Sequence, residues 1–218
     1  MRISELSARS QVPIPTIKYY LREGLLPQGE QTSATRAVYD EDHLRRLRLI
    51  RALIEVGRLP VAAIRKVVAA VQDEDLPVHH MLGTAHYALA PDVEPDADET
   101  AWREARDRAR TLTGDLGWSI NPDAPALDEL AQSLLTLDRL GMATDPEAVL
   151  PYARAAHALA EHELAGVPFE GPRDAAVEHL VIGTVLYGRL FDVLRRLAQE
   201  SESSRLLGPS RAADGHSV

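Results

Sequence analysis

The sequence predicts an all-α protein with one small β-hairpin, and three observations lead to this prediction. Apolar residues recur every three or four positions along most of the 218-residue chain, as they do on amphipathic helices. Proline and glycine residues stand at the ends of these segments, where helices begin and end. Residues 25–39 differ, because two short apolar pieces flank a polar centre there, as in a hairpin.

The first third of the chain is predicted to hold four helices and the hairpin. Ser4 is expected to cap a first short helix, and a second helix should end before Gly24. After the hairpin, Asp40 is expected to cap a third helix, which Gly57 closes. Pro60 then opens a fourth helix, since proline is favoured at the first helical position.

Beyond residue 75 the chain is predicted to continue as a helical bundle. Acidic stretches and proline-containing breaks separate its helical segments. The stretch from residue 201 is rich in Ser and Gly, and we expect it to be flexible. The five expected helices cover about 76–90, 99–116, 125–140, 146–165 and 173–200.

Composition excludes several classes of protein. No apolar run approaches the roughly 18–20 residues that span a bilayer, and no signal-peptide pattern opens the chain, so we expect a cytoplasmic protein without membrane contact. The absence of cysteine rules out disulfides, cysteine nucleophiles, thiolate-bound metals and iron–sulfur clusters. Two loose groups of histidines, at 79–86 and 157–162, are better interpreted as solvated or core-edge side chains than as ligands, so we expect no metal and no cofactor.

Charge is distributed unevenly along the chain. The net charge is -9, yet residues 1–72 hold twelve Lys and Arg against seven Asp and Glu, a net +5. Residues 73–218 therefore carry a net -14. Such asymmetry suggests a basic end that contacts nucleic acid. We divide the chain into a basic domain (1–72), a linker and dimerisation helix (73–98), a helical effector or dimerisation domain (99–200) and a flexible tail (201–218).

The second predicted helix has two different faces. Ile17 and Tyr20 share an apolar face by their helical spacing. Lys18 and Arg22 lie one turn apart on another face, with Tyr19 nearby. One side can pack on the first helix while the other offers cations and a phenol hydroxyl to phosphates. This arrangement is typical of a helix-turn-helix, whose second helix enters the DNA major groove.

The same residues resemble the start of the MerR family of transcriptional regulators. The family's signature is a basic residue and an aromatic pair in the second helix, followed by Gly-Leu-Leu where that helix ends. Residues 18–20 and 24–26 of this sequence fit the signature. Lysine stands at position 18, where arginine is usual. Beyond residue 75 we recognise no family. The resemblance covers about 1–72 and rests on 3–26, on Arg36 and Tyr39 in the hairpin, and on 57–64.

The resemblance implies a winged helix-turn-helix that binds double-stranded promoter DNA as a homodimer. Family members typically bind an inverted repeat with an overlong spacer and distort it for the RNA polymerase holoenzyme. Tyr20 could be a second phosphate contact or, by its apolar-face spacing, a packing residue. The residues implied to contact DNA are Thr16, Lys18, Tyr19, Tyr20, Arg22 and, from the wing, Arg36.

Four arginines on the third helix are open to two interpretations. They alternate with apolar residues, which is typical of a solvated face opposite a buried one. A phosphate-binding patch is the alternative. We expect the solvated face for Arg45, Arg46, Arg48 and Arg51.

The last predicted helix, over 173–200, is apolar almost all round and must be buried on several sides. Gly183 and Gly188 would let another backbone approach closely. We therefore expect this helix to form core or a dimer interface. In the family that the N-terminal part resembles, the C-terminal part usually dimerises the protein and senses a signal.

Three roles stay open for the C-terminal part. It can sense a small organic effector, serve as a dimerisation or partner-docking module without a ligand, or be an enzyme tethered to DNA. The enzyme hypothesis lacks a glycine-rich phosphate loop, a nucleophile elbow and a compact acid–base cluster, so we expect no enzyme. For a ligand cavity the candidate lining residues are Trp102, Trp118, Tyr152, Tyr187 and Phe191.

Overall fold

The structure, a computed structural model, describes residues 1–33 and 36–207. Its helices lie close to the predicted positions, and the hairpin is a two-stranded antiparallel sheet. The elements are α1 (Ile3–Ser10), α2 (Ile14–Arg22), β1 (Glu30–Ser33), β2 (Arg36–Val38), α3 (Glu41–Arg51), α4 (Val61–Gln72), α5 (Val78–Leu89), α6 (Glu99–Asp115), α7 (Pro125–Arg139), α8 (Pro146–Ala165), α9 (Arg173–Ile182) and α10 (Gly188–Leu207).

Two π-helical turns extend these helices. Ala52–Val56 continues α3, and Gly183–Tyr187 joins α9 to α10 without a break. Residues 173–207 therefore form one continuous helical rod. The helix expected to end near residue 200 continues to Leu207, so the first seven residues of the predicted tail are helical. Residues 208–218 lie outside the described ranges.

The helix caps show where local sequence rules hold. Asp40 caps α3 as predicted, because its side chain accepts hydrogen bonds from the backbone N–H groups of Asp42 (3.0 Å) and His43 (3.1 Å). The prediction for Ser4 is wrong, since α1 begins one residue before it. The Leu6 N–H already bonds to the carbonyl of Arg2 (2.9 Å), which places Ser4 inside the helix.

The first hydrophobic core joins the N-terminal helices to α9. It unites α1 to α5 with α9, and α9 packs against α3, α4, α5 and the π-turn after α3. Val177 and Val181 of α9 are fully buried together with Leu47, Ile50 and Leu53. The core that supports the N-terminal helices therefore extends well past residue 72.

A second, smaller core lies between α6 and α7. Trp102 and two alanines of α6 pack against Ala131, Leu134 and Leu135 of α7. The helix α8 is largely exposed, with Ala153 its one buried side chain among the described residues. The chain thus forms two separate packing units, and α8 and α10 lie mostly outside both.

A buried ion pair connects α9 to α3. The Nε atom of Arg46 donates to Asp174 over 2.8 Å, and the two side chains are only 8% and 14% exposed. The predicted solvated arginine face is therefore wrong for Arg46, because α9 returns from 128 positions later and covers it. Arg48 is exposed as expected, and Arg45 and Arg51 pair with carboxylates of their own helix.

A second arginine ties α9 to the end of α4. The guanidinium of Arg173 donates to the backbone carbonyls of Ala70 (3.1 Å), Val71 (3.1 Å) and Leu76 (2.9 Å). Carbonyls in the last turn of a helix lack intrahelical partners, so a cation there satisfies and stabilises the helix end. The start of the rod is thus fixed to the N-terminal helices at two points.

Candidate nucleic-acid interface

The turn between α1 and α2 sets the angle between the two helices. Gln11 ends α1 in the left-handed region (φ 58°), and Val12 is buried beneath the turn. The Ser7 hydroxyl donates to the carbonyl of Val12 (2.6 Å), and the Val12 N–H donates to the Ser10 hydroxyl (3.3 Å). These bonds fix α2 across α1, as a helix-turn-helix requires.

The inner face of α2 is packed in the first core. Ile17 is fully buried, and the ring of Tyr20 is 7% exposed. Burial raises the pKa of the Tyr20 hydroxyl above its usual range. The N–H groups of Leu25 and Leu26 both donate to the Tyr20 carbonyl, which turns the chain away from α2. Of the two roles considered for Tyr20, the structure shows the packing contact.

The outer face of α2 presents the charged and aromatic residues together. Lys18 is exposed, and Thr16 and Tyr19 are half-buried. Arg22 is 71% exposed, and its guanidinium lies 5.4 Å from the centre of the Tyr19 ring, within cation–π range. This contact orients the Arg22 side chain along the outer face of the helix.

Two neighbouring cations are paired with carboxylates. Arg9 forms a bidentate ion pair with Glu41, and Arg65 forms an ion pair with Glu23 at 2.7 Å. Glu23 also lies 3.9 Å from Arg22, but the Arg65 contact is much shorter. Glu23 is therefore bound mainly by Arg65, and the Arg22 guanidinium stays exposed to solvent.

The wing adjoins this helix. Glu30 pairs with Val38 and Gln31 with Ala37, and the register shifts before the Ser33–Arg36 pair. Backbone hydrogen bonds between residues 1 and 39 tie the returning strand to the N-terminus. Arg36 lies on β2 as expected, but its side chain is outside the part of the chain that the structure describes.

Gly29 is required where the wing begins. A Cβ atom at this position would lie 2.7 Å from the Val38 carbonyl oxygen and 2.9 Å from the Tyr39 ring. We expect Gly29→Ala to lower the free energy of unfolding by about 1–3 kcal/mol, because backbone must shift to admit the methyl group. Thermal unfolding of the variant and the wild type measures this loss of stability.

Gly83→Ala is the matched control for that substitution. Gly83 lies inside α5, and no atom lies within 4 Å of the place that a methyl group would take there. Alanine at this position should therefore raise stability by roughly 0.5–1 kcal/mol. Equal unfolding temperatures for the two variants would contradict the close packing assigned to Gly29.

The five predicted ligand-lining aromatics do not meet in one cavity. Tyr152, Tyr187 and Phe191 line a groove of about 700 Å³ between α8 and the helical rod. Trp102 lies instead in the second core, where it packs against α7. Trp118 stacks on a histidine of α8, with ring centres 6.0 Å apart.

Two further properties of the described residues limit the chemistry of the chain. Within 1–33 and 36–207, no group of three or more histidines and carboxylates is placed to hold a metal ion. None of the helices in these ranges combines the length and apolar character that a membrane crossing requires.

The exposed outer face of α2, its packing across α1 and the adjoining hairpin define a winged helix-turn-helix protein. A sequence profile described as MerR HTH family regulatory protein matches residues 1–71. The nodulation protein NolA of Bradyrhizobium sp. (strain NC92) is 28% identical over 133 residues, which cover 60% of this chain and 52% of NolA. The match thus spans about half the length of NolA.

The likeness to a solved structure covers nearly the whole chain. The protein SCO5550 of Streptomyces coelicolor A3(2), described as a candidate transcriptional regulator, is 41% identical with a TM-score of 0.75. The match covers 95% of this chain and 98% of that one. Residues 1–71 of the present chain belong to the MerR family of DNA-binding transcriptional regulators, and the chain as a whole is similar to a solved transcriptional regulator. The resemblance predicted for the N-terminal third and the all-α fold class are confirmed, and the C-terminal helices, unrecognised in the sequence, have a structural counterpart.

Proposed function

We propose that the protein binds an inverted-repeat promoter site as a homodimer, with one α2 helix in the major groove of each half-site. The observation that supports this most is the outer face of α2, where Lys18 and Arg22 stand in solvent beside the half-buried Tyr19 while the opposite face is buried. Cations and hydroxyl groups on one helix face suit both phosphates and base edges. Residues 1–72 are the DNA-reading part in this proposal.

A binding titration tests the proposal. DNA from upstream of the protein's own gene is compared with random DNA of equal length at physiological salt. We expect tighter binding to the upstream DNA and an affinity that falls as salt rises, because phosphate contacts release counterions. Equal affinity for both DNAs would contradict specific recognition.

Arg22→Ala should weaken binding about tenfold or more, because it removes a charge-assisted contact worth about 1–3 kcal/mol. If the contact is to phosphate, the slope of log affinity against log salt should fall by about one. Fluorescence anisotropy measures both effects.

Arg103→Ala is the matched control, because Arg103 is an exposed arginine on α6, outside the first core. It removes the same charge and should leave DNA affinity unchanged. If the Arg22 and Arg103 variants bind alike, the recognition face has been assigned wrongly.

We further propose that binding reshapes the promoter for the RNA polymerase holoenzyme. This part rests on the family to which residues 1–71 belong. A circular-permutation gel shift measures bending of the bound DNA, and transcription with purified polymerase measures its effect. Bound DNA that migrates as a straight duplex would contradict the proposal.

A small organic effector is the other candidate partner, and the groove between α8 and the rod is where it would bind. Its walls are mostly apolar, with Tyr152, Tyr187 and Phe191 among them. A thermal-shift series with apolar dyes and amphipathic cations tests this role. An unfolding temperature that rises with ligand concentration would support it.

A further inference from the structure

The helix α2 ends beside a carboxylate. Glu23 follows the last residue of the helix, and its Oε1 atom lies 3.9 Å from the Nε atom of Arg22. Two physical effects disfavour a negative charge at this place. The C-terminal end of a helix already carries partial negative charge, and DNA phosphates repel an anion on the surface that they approach. A carboxylate here therefore needs a cation of the protein beside it.

Arg65 of α4 supplies that cation. Its Nη2 atom donates to Oε2 of Glu23 at 2.7 Å, and its Nε atom donates to the backbone carbonyl of Glu23 at 3.1 Å. One guanidinium thus binds the side chain and the main chain of the same residue, a geometry suited to the fixed fork of donors in arginine. The two contacts join residues 42 positions apart and hold the Glu23 side chain in one orientation.

The backbone that carries Arg65 is anchored in the first core. Ile64, the preceding residue, is fully buried, and Val67 and Val68 of the same helix pack in that core as well. Arg65 itself lies on the exposed side of α4. Its guanidinium therefore reaches Glu23 from a helix that is fixed in place.

The two arginines beside Glu23 hold it unequally. Oε2 is hydrogen-bonded to Arg65, whereas Oε1 is beyond hydrogen-bond range of Arg22. The Arg22 guanidinium lies over the Tyr19 ring instead. Since Glu23 and Arg22 are already 3.9 Å apart, a rotation of the Glu23 side chain would bring them into direct contact if Arg65 were removed.

We propose that Arg65 is a positioning residue for DNA binding, which holds the Glu23 carboxylate against α4 and so leaves the Arg22 guanidinium available to DNA. The inference rests on the proposed function, in which the outer face of α2 meets the duplex. A close pair between Glu23 and Arg22 would have to break before Arg22 could bind a phosphate or a base edge. The released carboxylate would then face the DNA. Arg65 prevents both effects before the DNA arrives.

A direct contact of Arg65 with DNA is the competing role. The guanidinium already donates twice to Glu23, so a phosphate would have to share or displace these bonds. The two roles differ in their dependence on Glu23. A positioning residue becomes dispensable once Glu23 has lost its charge, whereas a residue that binds phosphate does not.

The test is a double-mutant cycle on the full chain, with affinity for duplex DNA measured by fluorescence anisotropy. Arg65→Ala should weaken binding about three- to tenfold, as expected when a solvent-exposed ion pair acts on a neighbouring contact. Glu23→Gln should bind at least as tightly as the wild type. The double variant should bind as Glu23→Gln does, because no carboxylate remains to be held. Arg65→Lys, which keeps the cation, should retain most of the affinity.

Arg139→Ala is the matched control. Arg139 pairs with Asp96 at the same distance of 2.7 Å, and the side chains of Arg139 and Arg65 are both about half exposed. The substitution frees a carboxylate outside the first core and should leave DNA affinity unchanged. Circular dichroism should show the same helix content for every variant. If Arg65→Ala loses helix, Arg65→Gln, which removes the charge and keeps a donor, replaces it in the cycle.

The outcomes separate this inference from the proposed function. An Arg65→Ala variant that binds as the wild type does would overturn the inference. So would a double variant as weak as Arg65→Ala, which would assign Arg65 a contact with DNA or a role in closing the end of α2. A wild type that does not distinguish upstream from random DNA contradicts only the proposed function. The cycle can then be measured on either duplex, because phosphate contacts do not depend on sequence.

Discussion

Replacing Asp174 by alanine should lower the free energy of unfolding by about 3–5 kcal/mol. The substitution leaves the buried guanidinium of Arg46 without its carboxylate, and an uncompensated buried charge is strongly destabilising. One Nη atom of Arg46 already lacks a hydrogen-bond partner within the described residues, so little remains to compensate the loss. Denaturant unfolding followed by circular dichroism measures the change.

The Asp107→Ala variant provides the comparison. Asp107 pairs with Arg110 on the surface of α6 over 3.6 Å, and exposed pairs of this kind contribute about 1 kcal/mol or less. Replacing Arg46 and Asp174 together by leucine should recover most of the lost stability, because apolar pairs often substitute for buried ion pairs. Equal losses for Asp107→Ala and Asp174→Ala would show that the α3–α9 pair is not buried in solution.

Val177→Asp should unfold the N-terminal helices together with α9. Val177 is fully buried in the core that supports α2, and the new carboxylate would have no partner there. The expected loss is at least about 3 kcal/mol, and DNA binding should fall with it although Val177 is far along the chain from α2. Thermal unfolding and the DNA titration at the same temperature measure both effects.

Ile120→Asp is the control for this substitution. Ile120 is also β-branched but lies exposed in the loop before α7. Its replacement should change stability by less than about 0.5 kcal/mol and leave DNA binding intact. If Val177→Asp were to spare DNA binding at a temperature where α9 has melted, the N-terminal helices would have a core independent of α9.

The features that the sequence predicts well are local ones. The cap at Asp40 and the turn at Gly24 depend on residues within a few positions of one another, and the structure has both. The two faces of α2 were likewise predictable from helical spacing, including the packing role of Tyr20. Predictions of this kind need only the period of the helix and the chemistry of its ends.

Contacts between distant segments of the chain could not be predicted from helical spacing and helix ends. Nothing near Arg46 indicates that Asp174 will cover it, and the apolar residues of α9 do not reveal that their partner is α3. Tertiary packing also divides the five aromatics predicted to line one cavity, since Trp102 packs against the neighbouring helix α7 in a separate core. A contact between segments more than a hundred residues apart leaves no periodic trace in either of them.

The two cores also bear on how such a chain can diversify. The first core includes α5 and α9, which pack side by side, and both Leu89 at the end of α5 and Val167 before α9 contribute to it. Residues 91–166 lie between these two residues and contain the whole of the second core. Changes in the length or sequence of this segment need not disturb the packing of α1 to α4. The first packing unit can therefore keep its architecture while the helices between α5 and α9 evolve separately.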